Sequence, residues 1–272
     1  MTATHSLPAK GQSVIRLSGV SKNFGAVSAL TDIELDVKAG EVVALVGDNG
    51  AGKSTLVKVL AGVHQPSSGT IEFCGQPVTL DSPAKALDMG IATVFQDLAL
   101  CENLDVVANL FLGHEMSPWA LDEVAMEVRA WTLLRELAAR IPSVREPIAS
   151  LSGGQRQTVA IARSLLLNPK LIMLDEPTAA LGVAQTAEGL NLIERVRDRG
   201  LGVIIISHNM EDVRAVADRI VVLRLGRNNG IFTPESSNQD LISAITGATD
   251  NSVSRRADRK AGEAQEQHGG AA

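Results

Sequence analysis

A glycine-rich segment between an apolar run and a helical pattern has the residue types that bind phosphate. The apolar run covers residues 42–46 and the amphipathic pattern begins at residue 55, so the segment is a loop between a strand and a helix. Glycines let such a loop wrap tightly and point its N–H groups at one anion, and the helix N-terminus adds partial positive charge. The loop reads Gly47-Asp48-Asn49-Gly50-Ala51-Gly52-Lys53-Ser54-Thr55. It matches the phosphate-binding pattern G-x-x-x-x-G-K-[ST].

The last residues of this loop predict the ligand. Lys53 is placed to reach the β- and γ-phosphates of a nucleoside triphosphate, and Ser54 to give an oxygen to Mg²⁺. The alternative is a glycine-rich turn that matches the pattern by accident. The strand–loop–helix context argues against that alternative, so we predict that residues 47–55 bind ATP with Mg²⁺.

Two adjacent carboxylates follow another apolar run, residues 171–174. Neighbouring side chains at a strand end point in different directions, so Asp175 and Glu176 can take separate roles. Asp175 suits Mg²⁺, as the strand-end aspartate does in phosphate-loop enzymes. Glu176 suits the attacking water, as a general base or as an orienting group. A solvated acidic strand end is the alternative, and the presence of a phosphate loop disfavours it.

A pentapeptide between these two motifs carries a resemblance to a known family. Leu151-Ser152-Gly153-Gly154-Gln155 is the signature of ATP-binding cassette (ABC) proteins, which the chain resembles over about residues 14–246. Ser152 starts a predicted helix that runs to about residue 167, and the free N–H groups of its first turn form a second anion site. In the family, the pentapeptide of one subunit caps the ATP held by the other. The resemblance therefore implies a homodimer in the ATP-bound state, with Ser152–Gln155 acting in trans.

Three further residues match the family's motifs in order. Gln96 follows the apolar run 91–95 and resembles the glutamine that touches Mg²⁺ or water and joins the core to a helical subdomain. His208 follows the run 203–206 and resembles the switch histidine that contacts the γ-phosphate. Phe24 resembles the aromatic residue that packs against adenine, although a phenylalanine is also a common core residue. The resemblance implies a catalytic role for Gln96 and His208 and a nucleotide contact for Phe24.

One loop departs from the family pattern. Where relatives read Ser-Ala-Leu-Asp, this chain reads Ala179-Ala180-Leu181-Gly182. In relatives the aspartate faces the phosphate loop of the partner subunit. Its absence, together with the backbone freedom of glycine, predicts looser communication between the two ATP sites. The alternative is that the backbone and shape of the loop suffice.

Four local stretches resemble the bacterial carbohydrate-import branch, of the ribose, xylose or fructose kind. They are residues 24–30, 47–55, 207–210 and 216–219. The resemblance implies a peripheral subunit on the cytoplasmic face of the inner membrane. Its expected partners are integral-membrane permease subunits and, indirectly, a secreted or periplasmic sugar-binding protein. An exporter ATPase is the alternative, followed by a non-transport ABC ATPase.

Composition excludes several other classes. The 272 residues carry 25 basic and 31 acidic side chains, a net charge of −6, and no basic face that would indicate nucleic-acid binding. No run approaches 18 apolar residues, so the sequence predicts no membrane span. The polar residues 1–12 are not a secretory signal, and Cys74 and Cys101 have no metal-ligand spacing.

Short apolar runs alternate with helical patterns, which predicts an α/β fold around a largely parallel sheet. The continuous runs, typical of buried strands, are residues 42–46, 91–95, 171–174, 203–206 and 220–223. Residues 14–20, 33–37 and 70–73 predict an antiparallel β region. Together with the family resemblance, this implies a P-loop NTPase (RecA-like) core.

A helical pattern interrupts the β pattern between residues 97 and 150. We predict one helical face from residues at spacings of three and four: Leu121, Val124, Val128, Trp131, Leu134, Leu137 and Ile141. The expected division is a flexible N-terminus 1–12 and a single ABC ATPase domain 13–247, with core 13–96 and about 151–247 and an inserted helical signalling subdomain about 97–150. The polar residues 248–272 are predicted to be a disordered tail.

Overall fold

Two β-sheets organise the residues that the structure, a computed structural model, describes: 7–116, 121–179 and 181–247. The described strands are β1 Ser13–Phe24, β2 Val27–Lys38, β3 Val42–Val46, β4 Ser68–Phe73, β5 Gln76–Val78, β6 Ile91–Val94, β7 Leu171–Asp175, β8 Gly202–Ile206, β9 Arg219–Arg224 and β10 Arg227–Phe232. The described helices are α1 Lys53–Leu60, α2 Pro83–Met89, α3 Val106–Phe111, α4 Glu123–Glu136, α5 Gly153–Leu165, α6 Val183–Asp198, α7 Met210–Val216 and α8 Asn238–Thr246. The predicted disordered tail, 248–272, lies outside the described residues.

The larger sheet has six strands in the order β10-β9-β3-β8-β7-β6. Strands β9, β3, β8, β7 and β6 run parallel, and β10 pairs antiparallel with β9 at the edge. The predicted continuous apolar runs all form strands of this sheet. β3 and β8 are buried at every residue, as expected for strands covered on both faces.

The smaller sheet has the order β2-β1-β4-β5 and is antiparallel throughout. This confirms the predicted antiparallel region, with strands longer than the sequence pattern indicated. Side chains alternate between the two faces of a strand. In β3, Val43 and Leu45 therefore join the core shared with the small sheet and α1, whereas Ala44 and Val46 join the core shared with the helices.

The helical segment differs from its predicted apolar face. Val124 and Val128 are 75% and 61% exposed, and Leu121 is 64% exposed. The buried side chains of α4 are Met126, Ala130, Leu133 and Leu134. Leu134, Leu137 and Ile141 are buried as predicted, so the prediction was wrong only for the N-terminal half of the face. It failed there because two overlapping apolar stripes share the C-terminal end of this helix. Periodicity alone does not choose between them, and the stripe that packs is the one in which the small Ala130 faces the core.

A buried asparagine fixes the chain between β6 and α3. The side chain of Asn109 is fully buried. Its Nδ2 donates to the carbonyls of Cys101 (3.0 Å), Leu104 (3.2 Å) and Asp105 (2.9 Å). Its Oδ1 accepts from the N–H of Cys101 at 2.7 Å. These contacts hold residues 101–105 against the N-terminal end of α3.

We expect Asn109→Ala to lower the free energy of unfolding by about 1–3 kcal/mol, because the buried backbone groups lose their partner. Urea denaturation followed by circular dichroism measures the change. Asn191→Ala, at an exposed position of α6, is the matched control and should stay within about 0.5 kcal/mol of wild type. Equal stability of the two variants would show that water replaces the Asn109 contacts.

Candidate functional site

The carboxyl ends of the parallel strands meet at one edge of the large sheet and bring the predicted motifs together. The glycine-rich loop follows β3, the carboxylates Asp175 and Glu176 end β7, His208 follows β8, and Gln96 follows β6. Ligands in open α/β sheets bind outside this edge, at the carboxyl ends of the strands. Segments far apart in the sequence therefore form one surface.

Close packing explains why two positions of the loop require glycine. Gly47 and Gly52 have φ of 153° and 103°, which L side chains rarely adopt. A Cβ at Gly47 would lie 2.2 Å from the carbonyl oxygen of Leu223, and one at Gly52 would lie 2.9 Å from that of Ala29. The loop thus needs glycine at both positions in order to lie against β9 and β2, with α1 beginning directly after it.

The ammonium of Lys53 lies across the loop. Its Nζ donates to the carbonyl oxygens of Gly47 (2.7 Å) and Asp48 (3.0 Å). Burial lowers the pKa of Lys53, and the charges of Glu176, Asp48 and Asp175 oppose that shift. A partly desolvated cation that faces several acidic groups is matched to a polyanion such as a triphosphate.

The two carboxylates occupy different environments. Burial, with a smaller contribution from Glu176, raises the pKa of Asp175, and Lys53 opposes the rise. A cation beside Asp175 would favour its charged form. Glu176 has a left-handed backbone, φ 51°, and its N–H donates to the carbonyl of Ile206 at 2.9 Å. Such conformations cost about 1–3 kcal/mol and cluster at functional sites.

Glu176 and His208 are in direct contact. Oε2 of Glu176 lies 2.9 Å from Nδ1 of His208. The carboxylate side chain is 17% exposed and the imidazole 77% exposed. The glutamate side chain is therefore largely enclosed, whereas the histidine is exposed and lines a separate cleft with residues of α7 and α8.

A second contact near this pair was not anticipated from the sequence. The hydroxyl of Thr178 donates to Oδ2 of Asp212 at 2.6 Å, and Asp212 is 8% exposed. This bond joins the loop after β7 to α7, which begins just after His208. An aspartate in a short helical pattern carries no signal of such a partner 34 residues away in the chain.

The pentapeptide forms the start of α5 as expected. Ser152 is the N-cap: its Oγ accepts from the N–H of Gln155 at 3.3 Å, and Oε1 of Gln155 accepts from the N–H of Ser152 at 2.9 Å. A Cβ at Gly153 would lie 3.2 Å from Leu181, and one at Gly154 would lie 3.2 Å from Gln185. Gly153 thus packs against the loop that departs from the family pattern, and Gly154 packs against the first turn of α6.

Within that loop, Gly182 is the N-cap of α6, with φ −72° and ψ 163°. Any residue adopts this backbone, so the freedom of glycine expected from the sequence is not used here. A Cβ at this position would meet nothing within 4 Å. Gly182 is therefore open to substitution without strain.

Two clefts contain most of the predicted site residues. A cleft of about 440 Å³ is lined by Gln96, Gly153, Asp175 and Glu176 among other residues. A second, of about 460 Å³, is lined by residues 49–55 together with Val27–Ala29. Val27 pairs with Phe24 across the β1–β2 turn, so Phe24 belongs to the hairpin beside the second cleft. Ser152 and Gln155 line neither cleft and are engaged in the α5 cap.

Arg163 is another residue that the sequence did not single out. It lies on α5, and its guanidinium donates to the carbonyls of Leu98 and Ala99 at 2.8 Å each. Burial lowers the pKa of Arg163. The helix that carries the pentapeptide is thus hydrogen-bonded to the segment that follows Gln96.

Comparison with known proteins identifies the family. Residues 30–179 match the family model described as ABC transporter. The chain is 42% identical over 245 residues to the fructose import ATP-binding protein FrcA of Rhizobium meliloti, covering 86% of this chain and 94% of that protein. The chain belongs to the ABC transporter family. Another relative, the xylose/arabinose import ATP-binding protein XylG of Sulfolobus acidocaldarius, is 44% identical over 215 residues, covering 79% of this chain and 86% of that protein.

Some relatives are longer. The ribose import ATP-binding protein RbsA 1 of Rubrobacter xylanophilus is 36% identical over 235 residues, and the match covers 86% of this chain but 47% of that protein. The chain thus spans about half the length of that relative.

Solved structures agree with the fold. A nucleotide-free ATP-binding cassette from an ABC transporter superposes with a TM-score of 0.76 at 28% identity, covering 85% of this chain and 95% of that chain. A dimeric ATP-binding cassette bound to ADP and Pi gives a TM-score of 0.68 at 25% identity, covering 82% and 100%. The predicted P-loop NTPase fold is confirmed. Among the described residues, no helix is both long and apolar enough to cross a membrane.

We expect Lys53→Ala to weaken ATP binding by at least tenfold while the fold is kept, because the ammonium predicted to bind the phosphates is lost and Lys53 is not a core residue. Isothermal titration with ATP, paired with circular dichroism, measures both effects. Lys85→Ala, at a half-exposed lysine of α2 outside the site, is the control and should bind as wild type does. Wild-type affinity of Lys53→Ala would remove Lys53 from the phosphate site.

Proposed function

We propose that this chain is the ATP-binding and ATP-hydrolysing subunit of an ABC importer for a simple sugar. The observation that carries the enzymatic part is that Lys53, after β3, and Asp175 and Glu176, at the end of β7, lie at the same carboxyl edge of the sheet. The charges of both carboxylates act on Lys53. The transport part is supported by relatives whose names specify fructose, xylose/arabinose and ribose import. These names favour import over export and over a non-transport role.

The nucleotide lies along α1 and the loop before it. The backbone N–H groups of residues 47–55 and the ammonium of Lys53 bind the phosphates, and Phe24 stacks on adenine. Ser54, Asp175 and Gln96 would hold Mg²⁺, because they offer hydroxyl, carboxylate and amide oxygens, the hard donors this cation takes together with substrate phosphates. When bound, Mg²⁺ neutralises charge that develops on the phosphate oxygens.

Glu176 acts on the attacking water. Its carboxylate accepts a proton as the water oxygen bonds to the γ-phosphorus and the bond to the β-phosphate oxygen breaks, which yields ADP and phosphate. The 2.9 Å contact with His208 orients the carboxylate. His208 also contacts the γ-phosphate, and Gln96, which lines the same cleft as Glu176, helps to position the water.

Two subunits are needed to complete each site. Ser152 and Gln155 are engaged in the α5 cap, and none of residues 152–155 lines the cleft formed by residues 49–55. Following the family resemblance, we infer that Ser152–Gln155 contact ATP bound to the partner copy. Dimeric ATP-binding cassettes among the solved structures support a homodimer in the ATP-bound state.

Permease subunits in the membrane and an external sugar-binding protein are the other proposed partners, and no nucleic acid is involved. The chain then works peripherally, on the cytoplasmic face of the membrane.

We propose that the domain has two functional parts, one built around the two sheets and one formed by the helices that follow β6. The ABC domain, 13–247, comprises a nucleotide-binding core, 13–96 and about 151–247, and the helical signalling segment, about 97–150. The bonds from Arg163 to Leu98 and Ala99 join the two. Movement of the segment after Gln96 would therefore be transmitted to α5 and its pentapeptide.

Glu176→Gln tests the proposed ATPase. The amide keeps the shape but accepts no proton, so we expect ATP to bind normally and hydrolysis to fall at least a hundredfold. Because ATP joins the two subunits, the variant should accumulate as a dimer with ATP and Mg²⁺ in size-exclusion chromatography. Glu72→Gln in β4 is the matched control and should hydrolyse ATP as wild type does. Only monomer under these conditions would refute the proposed dimer.

The same variant tests the transport role. Cells that lack this chain and are complemented with wild type should take up radiolabelled fructose, xylose or ribose, whereas cells complemented with Glu176→Gln should not. If cells without the chain take up all three sugars as well as complemented cells do, the sugar-import proposal is overturned. If the chain instead causes energy-dependent loss of a compound from the cells, the result supports export.

Gly182→Asp tests the coupling of the two ATP sites. The site geometry accommodates the aspartate, which is also a good N-cap for α6. If the missing carboxylate loosens coupling, wild type hydrolyses ATP with weak cooperativity, and the variant has a higher Hill coefficient in the presence of the permease. Gly182→Ala controls for the loss of glycine and should leave the Hill coefficient unchanged. Strong cooperativity in wild type, with mere slowing by Gly182→Asp, would show that the loop acts through its backbone.

A further inference from the structure

The end of β1 that carries Phe24 is tied to the segment that follows α1. Nζ of Lys22 donates to the carbonyl of Gln65 at 2.8 Å, and the N–H of Asn23 donates to Oγ of Ser67 at 3.0 Å. The N–H of Ser67 in turn donates to the carbonyl of Ser21 at 2.7 Å. Three hydrogen bonds thus join residues 21–23 to residues 65–67.

His64 lies in the same segment and contacts the ring of Phe24. The centroids of the two rings are 5.1 Å apart and their planes are inclined by 77°, an edge-to-face arrangement. Nζ of Lys22 lies 5.0 Å from the centroid of the Phe24 ring, within the range of a cation–π contact. Two neighbours therefore restrain a ring that is itself 44% exposed.

The position of His64 is fixed by the phosphate-binding helix. The N–H groups of Val63 and His64 both donate to the carbonyl of Lys58, at 2.8 and 3.1 Å, at the C-terminal end of α1. Helix α1 begins at Lys53, whose ammonium is one of the proposed phosphate ligands. A continuous set of contacts therefore runs from the phosphate loop through α1 and His64 to the ring of Phe24.

On the basis of the proposed role of Phe24 in stacking on adenine, we propose that His64 is a positioning residue for the base. It holds the Phe24 ring in one orientation at a fixed place relative to the phosphate loop, and Lys22 secures the same ring through Gln65. A ring that is already ordered loses less conformational freedom when the base binds. His64 thereby contributes to the base-dependent part of ATP affinity and leaves the phosphate-dependent part untouched.

Binding of two probes separates these parts. ATP carries the base, and inorganic tripolyphosphate carries only the phosphate chain. We expect His64→Ala to weaken ATP binding about two- to tenfold, the strength of one aromatic pair, and to leave tripolyphosphate binding unchanged. His64→Phe restores an aromatic edge and should bind ATP as wild type does, whereas His64→Leu should behave as His64→Ala. In ATPase assays the KM for ATP should rise while kcat stays constant.

Controls distinguish this inference from the function on which it rests. Val63→Ala changes an exposed neighbour outside the ring contact and should match wild type in both titrations. Phe24→Ala should weaken ATP binding, and adding His64→Ala to it should have no further effect, because the two residues act through one contact. Thermal denaturation confirms that each variant is folded.

Each outcome has a separate meaning. Unchanged ATP affinity in Phe24→Ala would refute the adenine role of Phe24, and with it the basis for His64. Weakened ATP binding by Phe24→Ala with wild-type behaviour of His64→Ala would refute the positioning role alone. Equal weakening of ATP and tripolyphosphate by His64→Ala would also overturn it, since the effect would then reach the phosphate loop. If His64→Ala is unfolded, the comparison of His64→Phe with His64→Leu decides.

Discussion

The arrangement of charge at the carboxyl edge of the large sheet governs this structure. Lys53 lies in the field of Asp175 and Glu176, and all three are partly removed from water. Such groups are costly to bury alone and tolerable only when they compensate one another. Their placement requires that β3 and β7 be parallel members of one sheet with β8 between them. The glycine backbone of the phosphate loop, the buried strands and the two cores satisfy that requirement.

Around this centre, the motifs are joined by specific hydrogen bonds. The Thr178–Asp212 bond links the loop after β7 to α7, and Arg163 links α5 to the segment after Gln96. The Thr178–Asp212 bond and the Arg163–Leu98 bond are part-buried, so a shift of one segment moves its partner. They give the nucleotide site physical routes to the helical segment and to the signature pentapeptide, which a transporter subunit needs if hydrolysis is to move a permease.

The departure at Gly182 illustrates why a sequence difference needs its structural setting. From the sequence, glycine suggested a flexible loop that had lost a carboxylate. In the structure, Gly182 is an ordinary helix N-cap with open space at its Cβ position, and its neighbour Leu181 packs near Gly153. Of the two differences expected at Gly182, only the missing carboxylate remains a reason to expect looser coupling between the ATP sites. The backbone freedom of glycine is not used in this structure.

The sequence by itself determined the family, the position of the glycine-rich loop between β3 and α1, and the buried strands. These depend on local patterns: fixed residue spacing and uninterrupted apolar runs. The buried face of α4 was decided only by tertiary packing, since two overlapping stripes satisfied the same periodicity. The partners of Asn109, Arg163 and Asp212 were likewise decided by the fold, because a polar side chain does not reveal in sequence which distant backbone or hydroxyl group it meets. The contact of His64 with Phe24 has the same origin: the two residues are 40 positions apart, and only the pairing of β1 with β4 brings their segments together.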